Sequence, residues 1–168
     1  MPYTDHFKLA DDYLVHMDAV IATIADPFIK SRYVGFITVS AVTVFELAIK
    51  EIFIDFAKKK HVILGNFTLA YFDRINGRIK RDVLQDDYIK KFGEKYVTRF
   101  LKKMDQKEKA VLAAEGASVK QSYANIITWR NDFAHEGNLK VMATYEEVKK
   151  SYFLGKHVIH CLAETMIR

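Results

Sequence analysis

Three observations predict an all-α bundle. Seven glycines and two prolines are few for 168 residues, which disfavours a turn-rich β architecture. Apolar residues recur at helical spacing through several long segments. No stretch alternates apolar and polar residues as a half-buried strand does. The expected architecture is a bundle of four to five long helices with a shorter helical insert in the middle, forming one domain over residues 1–168.

Residues 5–24 place Phe7, Ala10, Leu14, Met17, Ile21 and Ile24 on one helical face, with Asp11, Asp12 and Asp18 elsewhere. Asp26-Pro27 marks a break and a new start, because Asp caps a helix and Pro fits its first position. The second helix is expected to run from Pro27 or Ser31 to Lys59. Residues 35–57 within it are apolar almost all round, as in the central helix of a bundle. Glu46 interrupts that run on the face of Val39, Val42, Ile49 and Phe53. A buried carboxylate needs a partner or takes up a proton. Two cations are candidates: Lys50, one turn on, and Arg130, from another helix.

Residues 61–66 read as a connection punctuated by Gly65, residues 67–75 as a short helix, and Asn76-Gly77 as a turn. A helix is expected over residues 78–92 with Ile79, Val83, Leu84 and Ile89 inward, ended by Gly93. Residues 96–104 continue with Tyr96, Val97, Phe100, Leu101 and Met104. Residues 105–114 are polar, Ala-rich and helical, with Glu115-Gly116 as a joint. The next helix covers residues 118–135, with Ser118 as its cap and Gln121 at the capping-box position. A loop over residues 137–143 follows. Thr144 and Glu147 then repeat the capping-box pattern, and Val148, Tyr152, Gly155, Ile159, Leu162 and Met166 carry the last helix to the C-terminus.

Half the chain is apolar, so it has the means to build a core and is not expected to be disordered. The single cysteine, Cys161, excludes an internal disulfide and a Cys-rich zinc site, and fits a reducing cytoplasm. The first residues show no basic and apolar leader pattern, so no signal peptide is expected. The longest uncharged run, residues 33–45, is too short to span a bilayer, so no membrane role is expected. Net charge is +5 but uneven: residues 74–109 hold twelve Lys or Arg against six Asp or Glu. That excess suits either a polyanion partner or a solvated helical face.

Several chemistries are missing. There is no Gly-rich phosphate loop, no His-Glu-x-x-His and no Gly-x-Ser-x-Gly. His157, His160 and Cys161 lie close together on the last helix, but no carboxylate stands at fitting spacing and their apolar neighbours favour a packed role. No metal or cofactor is expected. What remains is Trp129-Arg130-Asn131-Asp132-Phe133-Ala134-His135-Glu136-Gly137. Arg130 falls within the apolar stripe of Ile126, Ile127, Phe133 and Ala134. A guanidinium keeps its charge, so it must find an anion or stay near water. Asn131 and His135 share one flank of the helix, and Gly137 offers a left-handed stop. The same residues also suit an ordinary helix C-terminus, where cations meet the negative end of the dipole.

Arg130 and Asn131, with His135 after four intervening residues, resemble the motif of the HEPN superfamily: an Arg, a polar residue and then a His, at the end of the penultimate long helix of a bundle. Val44-Phe45-Glu46-Leu47-Ala48 in the long second helix resembles the group called RiboL-PSP-HEPN. So does Arg74-Ile75-Asn76-Gly77-Arg78-Ile79 before a basic helix. The resemblance implies a metal-independent endoribonuclease, acting as a homodimer that brings two motifs to one composite site. It implies attack by the RNA's own 2′-hydroxyl, leaving a 2′,3′-cyclic phosphate and a 5′-hydroxyl. Chemically, His135 is the motif residue whose ordinary pKa lies near neutrality. Arg130 offers a planar fork to the charge growing on phosphorus. Asn131 would orient His135 or the phosphate, and Glu46 would support the site. Arg74, Arg78, Lys80 and Arg81 would track the backbone of a tRNA or mRNA. Such domains are often toxins or antiviral, abortive-infection effectors, which implies an antitoxin or sensor partner. Two alternatives stand beside this expectation: a catalytically silent HEPN module for RNA binding or dimerisation, and a helical interaction protein whose motif is accidental.

Overall fold

The computed structural model describes residues 2–137 and 143–167. A 3₁₀ turn at Tyr3–His6 leads into α1 (Phe7–Val20). Then follow α2 (Pro27–Lys60), α3 (Val62–Phe72), α4 (Glu94–Glu115), α5 (Val119–Glu136) and α6 (Tyr145–Met166). There is no strand among the described residues, so the all-α expectation holds. The expected loop over residues 137–143 lies mostly outside the described residues.

The axis of the bundle is α2. Its start is the expected one: the Asp26 carboxylate accepts the backbone N–H of Phe28 at 2.8 Å and of Ile29 at 3.3 Å, and Pro27 is the first helical residue. Its 34 residues rise through about 51 Å. Buried residues cover most of the circumference of its middle, because α1, α3, α5 and α6 all pack against it, and one stripe stays open. Phe45 is stacked between Tyr123 of α5 and Tyr152 of α6, with ring centroids 5.6 and 5.5 Å away. Gly155 makes room for that stack, since a Cβ there would stand 3.0 Å from the Phe45 ring. Nearer the start of α2, a Cβ on Gly35 would fall 2.2 Å from the Phe133 ring, so the last turns of α5 approach α2 over a bare backbone.

Hydrogen-bonded charges tie α6 to α1. The Tyr152 hydroxyl donates to Asp11 at 2.9 Å and the Tyr145 hydroxyl to Asp18 at 2.5 Å. Lys156 and Lys149 reach the same two carboxylates. Hydrogen bonds from Lys149, then from Tyr145, hold the Asp18 carboxyl below its ordinary range. The expected capping box of α6 is complete: Thr144 and Glu147 satisfy each other's backbone N–H groups. At α5 the Ser118 hydroxyl accepts the Gln121 N–H at 3.0 Å, but the Gln121 side chain turns to Asn125. Glu108 of α4 takes the place of the reciprocal partner, accepting from the Ser118 hydroxyl and the Lys120 N–H.

The middle of the chain departs from the sequence reading. Residues 61–66 are no connection. His61 alone breaks the helix, its Nδ1 accepts the Ile63 N–H at 3.2 Å, and α3 begins at Val62. Gly65 is buried rather than a punctuation mark, and a Cβ there would come within 2.6 Å of Lys58 Cγ as α3 folds back along α2. Nor do residues 78–92 form a regular helix. The expected turn is present: Asn76 and Gly77 have φ of 35° and 77°, and the Arg78 N–H reaches the Ile75 carbonyl at 2.9 Å. Past it, side chains from beyond the local helical repeat claim the carbonyls that a helix needs. The Tyr88 hydroxyl donates to the Arg78 carbonyl at 2.8 Å and the Tyr123 hydroxyl to the Ile79 carbonyl at 2.7 Å. A π turn (Val83–Tyr88) and a 3₁₀ turn (Ile89–Phe92) follow. Leu84 and Ile89 are both fully buried at a spacing of five, which the wider turn accommodates. Downstream, α4 runs unbroken through two stretches that the sequence divides.

Glu46 settles the position of this irregular segment. One carboxylate oxygen pairs with Lys50 at 2.8 Å and the other accepts the Gly77 N–H at 2.5 Å. Of the two candidate partners Lys50 is the one that forms. No ion pair joins Glu46 to Arg130 among the described residues, because Lys50 and the Gly77 N–H already satisfy the carboxylate.

Two outcomes follow from this packing. Gly35→Val is expected to lose about 2 kcal/mol in urea denaturation, since the Phe133 ring must move aside to admit the new side chain. Glu46→Ala is expected to lose about 1–3 kcal/mol by leaving the Gly77 N–H without an acceptor. Glu46→Gln keeps an acceptor, so its loss in the same titration is the smaller of the two.

Candidate active site

The candidate site occupies the last two turns of α5. The spacing of Arg130, Asn131 and His135 on that helix is as the sequence implies, and Gly137, at φ of 68°, ends it with an N–H bond to the Phe133 carbonyl at 2.9 Å. Arg130 is half-buried, while His135 is exposed to solvent. The Arg130 Nη1 donates to Asn131 Oδ1 at 3.0 Å. Its guanidinium also lies on Gly77, where a Cβ would stand 2.9 Å from Nη2 and 3.1 Å from Nη1. The glycine whose N–H binds Glu46 thus forms the bed on which Arg130 rests. Glu46 therefore acts on the site through the backbone, not by touching the arginine.

Asn131 faces Arg130. No hydrogen bond joins it to His135 among the described residues, so within one chain it orients the guanidinium and leaves the imidazole free. The bond also fixes which atom does what: the amide oxygen is engaged by the arginine, and the amide nitrogen remains for another acceptor.

Arg32 is a residue that the sequence does not single out. It lies in the second turn of α2, with its guanidinium carbon 4.7 Å from the centroid of the Phe28 ring. A Cβ on Gly137 would be 3.4 Å from its Nη1, which places this cation at the same helix end as His135. Its Nε is buried without a hydrogen-bond partner among the described residues. In the sequence it is one Arg in the opening turns of a long helix, and nothing there says that the end of α5 lands beside it.

Along the outside of α2, Ile29, Tyr33, Phe36 and Leu47 are exposed. With Ser40 and Thr43 between them the steps alternate between four and three residues, the spacing of a helix–helix seam. Phe36, 54% exposed, meets Phe133 of α5 edge-on with centroids 5.3 Å apart, so this apolar stripe reaches the motif helix itself.

The four basic residues expected to track RNA do not form one patch. Arg74 and Arg78 line a groove with Phe67 and Tyr71, where Arg78 lies 3.8 Å from Asp87. Lys80 and Arg81 line a different groove, against Ser118, Lys120 and Gln121 at the start of α5. The chain turns between the pairs, because the Ile79 side chain is buried and its carbonyl is held by Tyr123.

His157, His160 and Cys161 do not converge on an open site. His160 Nδ1 is hydrogen-bonded to the Tyr3 hydroxyl at 2.8 Å, and burial pushes the Cys161 thiol up to about 11. Among the described residues no three His, Cys, Asp or Glu side chains are grouped to hold a metal ion. No described helix is long and apolar enough to cross a membrane.

No curated protein and no solved structure matches the chain. A model of the RiboL-PSP-HEPN family matches residues 5–168. The match takes in α2, the turn under Arg130 and the whole of α5. The chain belongs to the RiboL-PSP-HEPN family of the HEPN superfamily.

Proposed function

We propose that this protein is a metal-independent endoribonuclease that acts as a homodimer. The observation that carries the reading is the seating of Arg130 on Gly77 beside Asn131, one turn from an exposed His135. A phosphodiester in an unpaired stretch of RNA meets the guanidinium fork, which neutralises its non-bridging oxygens as charge grows in the transition state. The 2′-oxygen attacks phosphorus while its proton passes to a base. The bond from phosphorus to the 5′-oxygen breaks, and that oxygen takes a proton from an acid. The products are a 2′,3′-cyclic phosphate and a 5′-hydroxyl. An imidazole near neutrality serves as base or as acid. Two copies of His135, one from each protomer, supply both.

The homodimer is proposed to close over the exposed stripe of α2. Ile29, Tyr33, Phe36 and Leu47 are exposed, and Phe36 continues directly into the motif helix through Phe133. Joining two such faces brings two α5 ends together. By family resemblance we further propose a cytoplasmic toxin or antiviral effector, cutting tRNA or mRNA and held in check by an antitoxin or released by a sensor.

One observation favours a second reading. Among the described residues no hydrogen bond to the His135 ring is present, since Asn131 is engaged by Arg130. A module that binds RNA or dimerises without cutting also satisfies that geometry.

Cleavage of a mixed RNA pool in EDTA separates the two. Wild type is expected to cut, leaving cyclic phosphate ends, with His135→Ala at least 100-fold slower. Arg130→Lys is expected to be similarly impaired, because an ammonium cannot replace the fork. Equal cutting by wild type and His135→Ala overturns the assignment. RNA binding by a folded dimer that does not cut favours the second reading. Phe36→Glu is expected to shift the protein to monomer in sedimentation velocity and to abolish cutting with it. A Phe36→Glu variant that stays dimeric places the interface elsewhere.

A further inference from the structure

On the side of the bundle formed by the end of α2, α3 and the start of α4 lies a cleft of about 650 Å³. Its walls are aromatic. Phe67, 72% exposed, and Tyr71 stand along α3, and Phe92 and Tyr96 face them from the other side. Three lysines rim it, each set over a ring: Lys60 on Phe56 at 5.3 Å, Lys91 on Tyr71 at 4.7 Å and Lys95 on Tyr96 at 4.9 Å. Lys91 also donates to the Tyr71 hydroxyl at 2.9 Å. No carboxylate lines the cleft. Exposed aromatic surface on a monomer needs a reason, and lysines held above rings without an acid nearby point to an anionic partner that also carries flat apolar faces.

The cleft does not stand alone. A second groove of about 520 Å³ shares Phe67, Tyr71 and Tyr88 with it and carries Arg74 and Arg78. Gly77, on which Arg130 rests, adjoins Arg78 in the chain. Cations and rings therefore run from Lys60, past Lys91 and Tyr71, to Arg74 and Arg78, with Asp87 beside Arg78 in the lining of the second groove, and Arg78 is the chain neighbour of the glycine under Arg130. We propose that this track docks an unpaired stretch of the RNA whose cleavage is proposed above, with bases stacked on Phe67 and Tyr71 and phosphates met by Lys60, Lys91 and Lys95. A duplex keeps its bases stacked on each other and has no faces to offer these rings, whereas a single strand does. A mononucleotide fills the cleft but leaves the second groove and its arginines without a role. This assignment rests on the RNA reading of the motif and adds where the rest of the strand lies.

The track has a length. Lys60 is fourteen residues beyond Glu46 on α2, about 21 Å of helix rise. That distance corresponds to about six stacked nucleotides. An RNA shorter than this cannot occupy the cleft and the motif at once, and a longer one does.

The test uses the full chain with His135→Ala, so that RNA is bound and not cut. Affinity for unpaired RNAs of five and of fifteen nucleotides is measured by fluorescence anisotropy, with and without Phe67→Ala, and separately with Lys91→Ala and Lys95→Ala combined. All three positions are exposed, and circular dichroism checks the fold of each variant. The fifteen-mer is expected to bind about 10-fold to 100-fold more weakly to the Phe67 variant, as the loss of a base stack requires. The double lysine variant is expected to lose about 1.4 from the slope of log affinity against log salt. The five-mer, which can sit at the motif alone, is expected to lose less affinity than the fifteen-mer to either change. A fifteen-mer held equally by wild type and variants overturns the track, whatever the enzyme does. Tight binding of a mononucleotide, lost with Phe67, at unchanged fifteen-mer affinity also overturns it, in favour of a small-ligand site. The cleavage reading is judged apart, by the His135-intact protein in EDTA: a protein that does not cut yet binds the long strand through Phe67 keeps the track and loses the nuclease.

Discussion

The Glu46 carboxylate is half-buried in the middle of the longest helix described, and the surrounding structure satisfies it on both oxygens. Lys50 supplies the charge from one turn away, and Gly77 supplies a backbone N–H from an element far along the sequence. The second contact has the wider consequences. It pins the tip of a turn whose two central residues have positive φ against α2, at the point where the guanidinium of Arg130 comes down. A charge on α2 is thereby converted into the placement of a cation on α5 without the two ever pairing directly. Had they paired, the arginine's fork would have been spent on the protein's own carboxylate. Resting on a glycine, it keeps donors for a phosphate.

The approach of α5 to α2 makes the same point through packing. At Gly35 and Phe133 the helices close to within a side chain's depth, and Phe36 extends that contact to the surface. The end of α5 is thus rigidly placed while its last polar residues stay open to solvent. Arg32 shares this end, through its stack on Phe28 and its approach to Gly137. Three kinds of feature meet in one region: a held cation, an exposed imidazole and an exposed apolar stripe. On the opposite reach of α2 the aromatic cluster around Phe53, Phe72 and Phe92 gives way to the open cleft with its lysines. One long helix carries both regions, which gives the molecule a direction along which a strand can lie.

The candidate site was legible where its information is local. Arg130, Asn131, His135 and Gly137 lie within one helix end, so their relation follows from the helical repeat alone. The caps at Asp26 and Thr144 were legible for the same reason, as was the turn at Asn76-Gly77. Arg32 was not legible, because its importance comes from the landing point of a helix a hundred residues away. The division of the basic residues was equally hidden: Arg78 and Lys80 are two apart in the chain, yet they face different grooves because Tyr123 holds the residue between them. The aromatic cleft draws on α2, α3, the irregular segment and α4, and no periodicity within any one of them announces it.

The sequence by itself determined the all-α class, the central role of α2, most helix ends and the family of the chain. These depend on periodicity, capping and turn chemistry, which act over a few residues. Only the tertiary structure decided the course of residues 73–92, the partner of Glu46 and the seat of Arg130. The reason is competition for backbone groups. Residues 78–92 have the apolar pattern of a helix, but Tyr88 and Tyr123 bind the Arg78 and Ile79 carbonyls, and Glu46 binds the Gly77 N–H. Hydrogen bonds from side chains outside the local helical repeat outweigh a local preference that is worth a few tenths of a kcal/mol per residue, roughly, against about 1 kcal/mol for each bond.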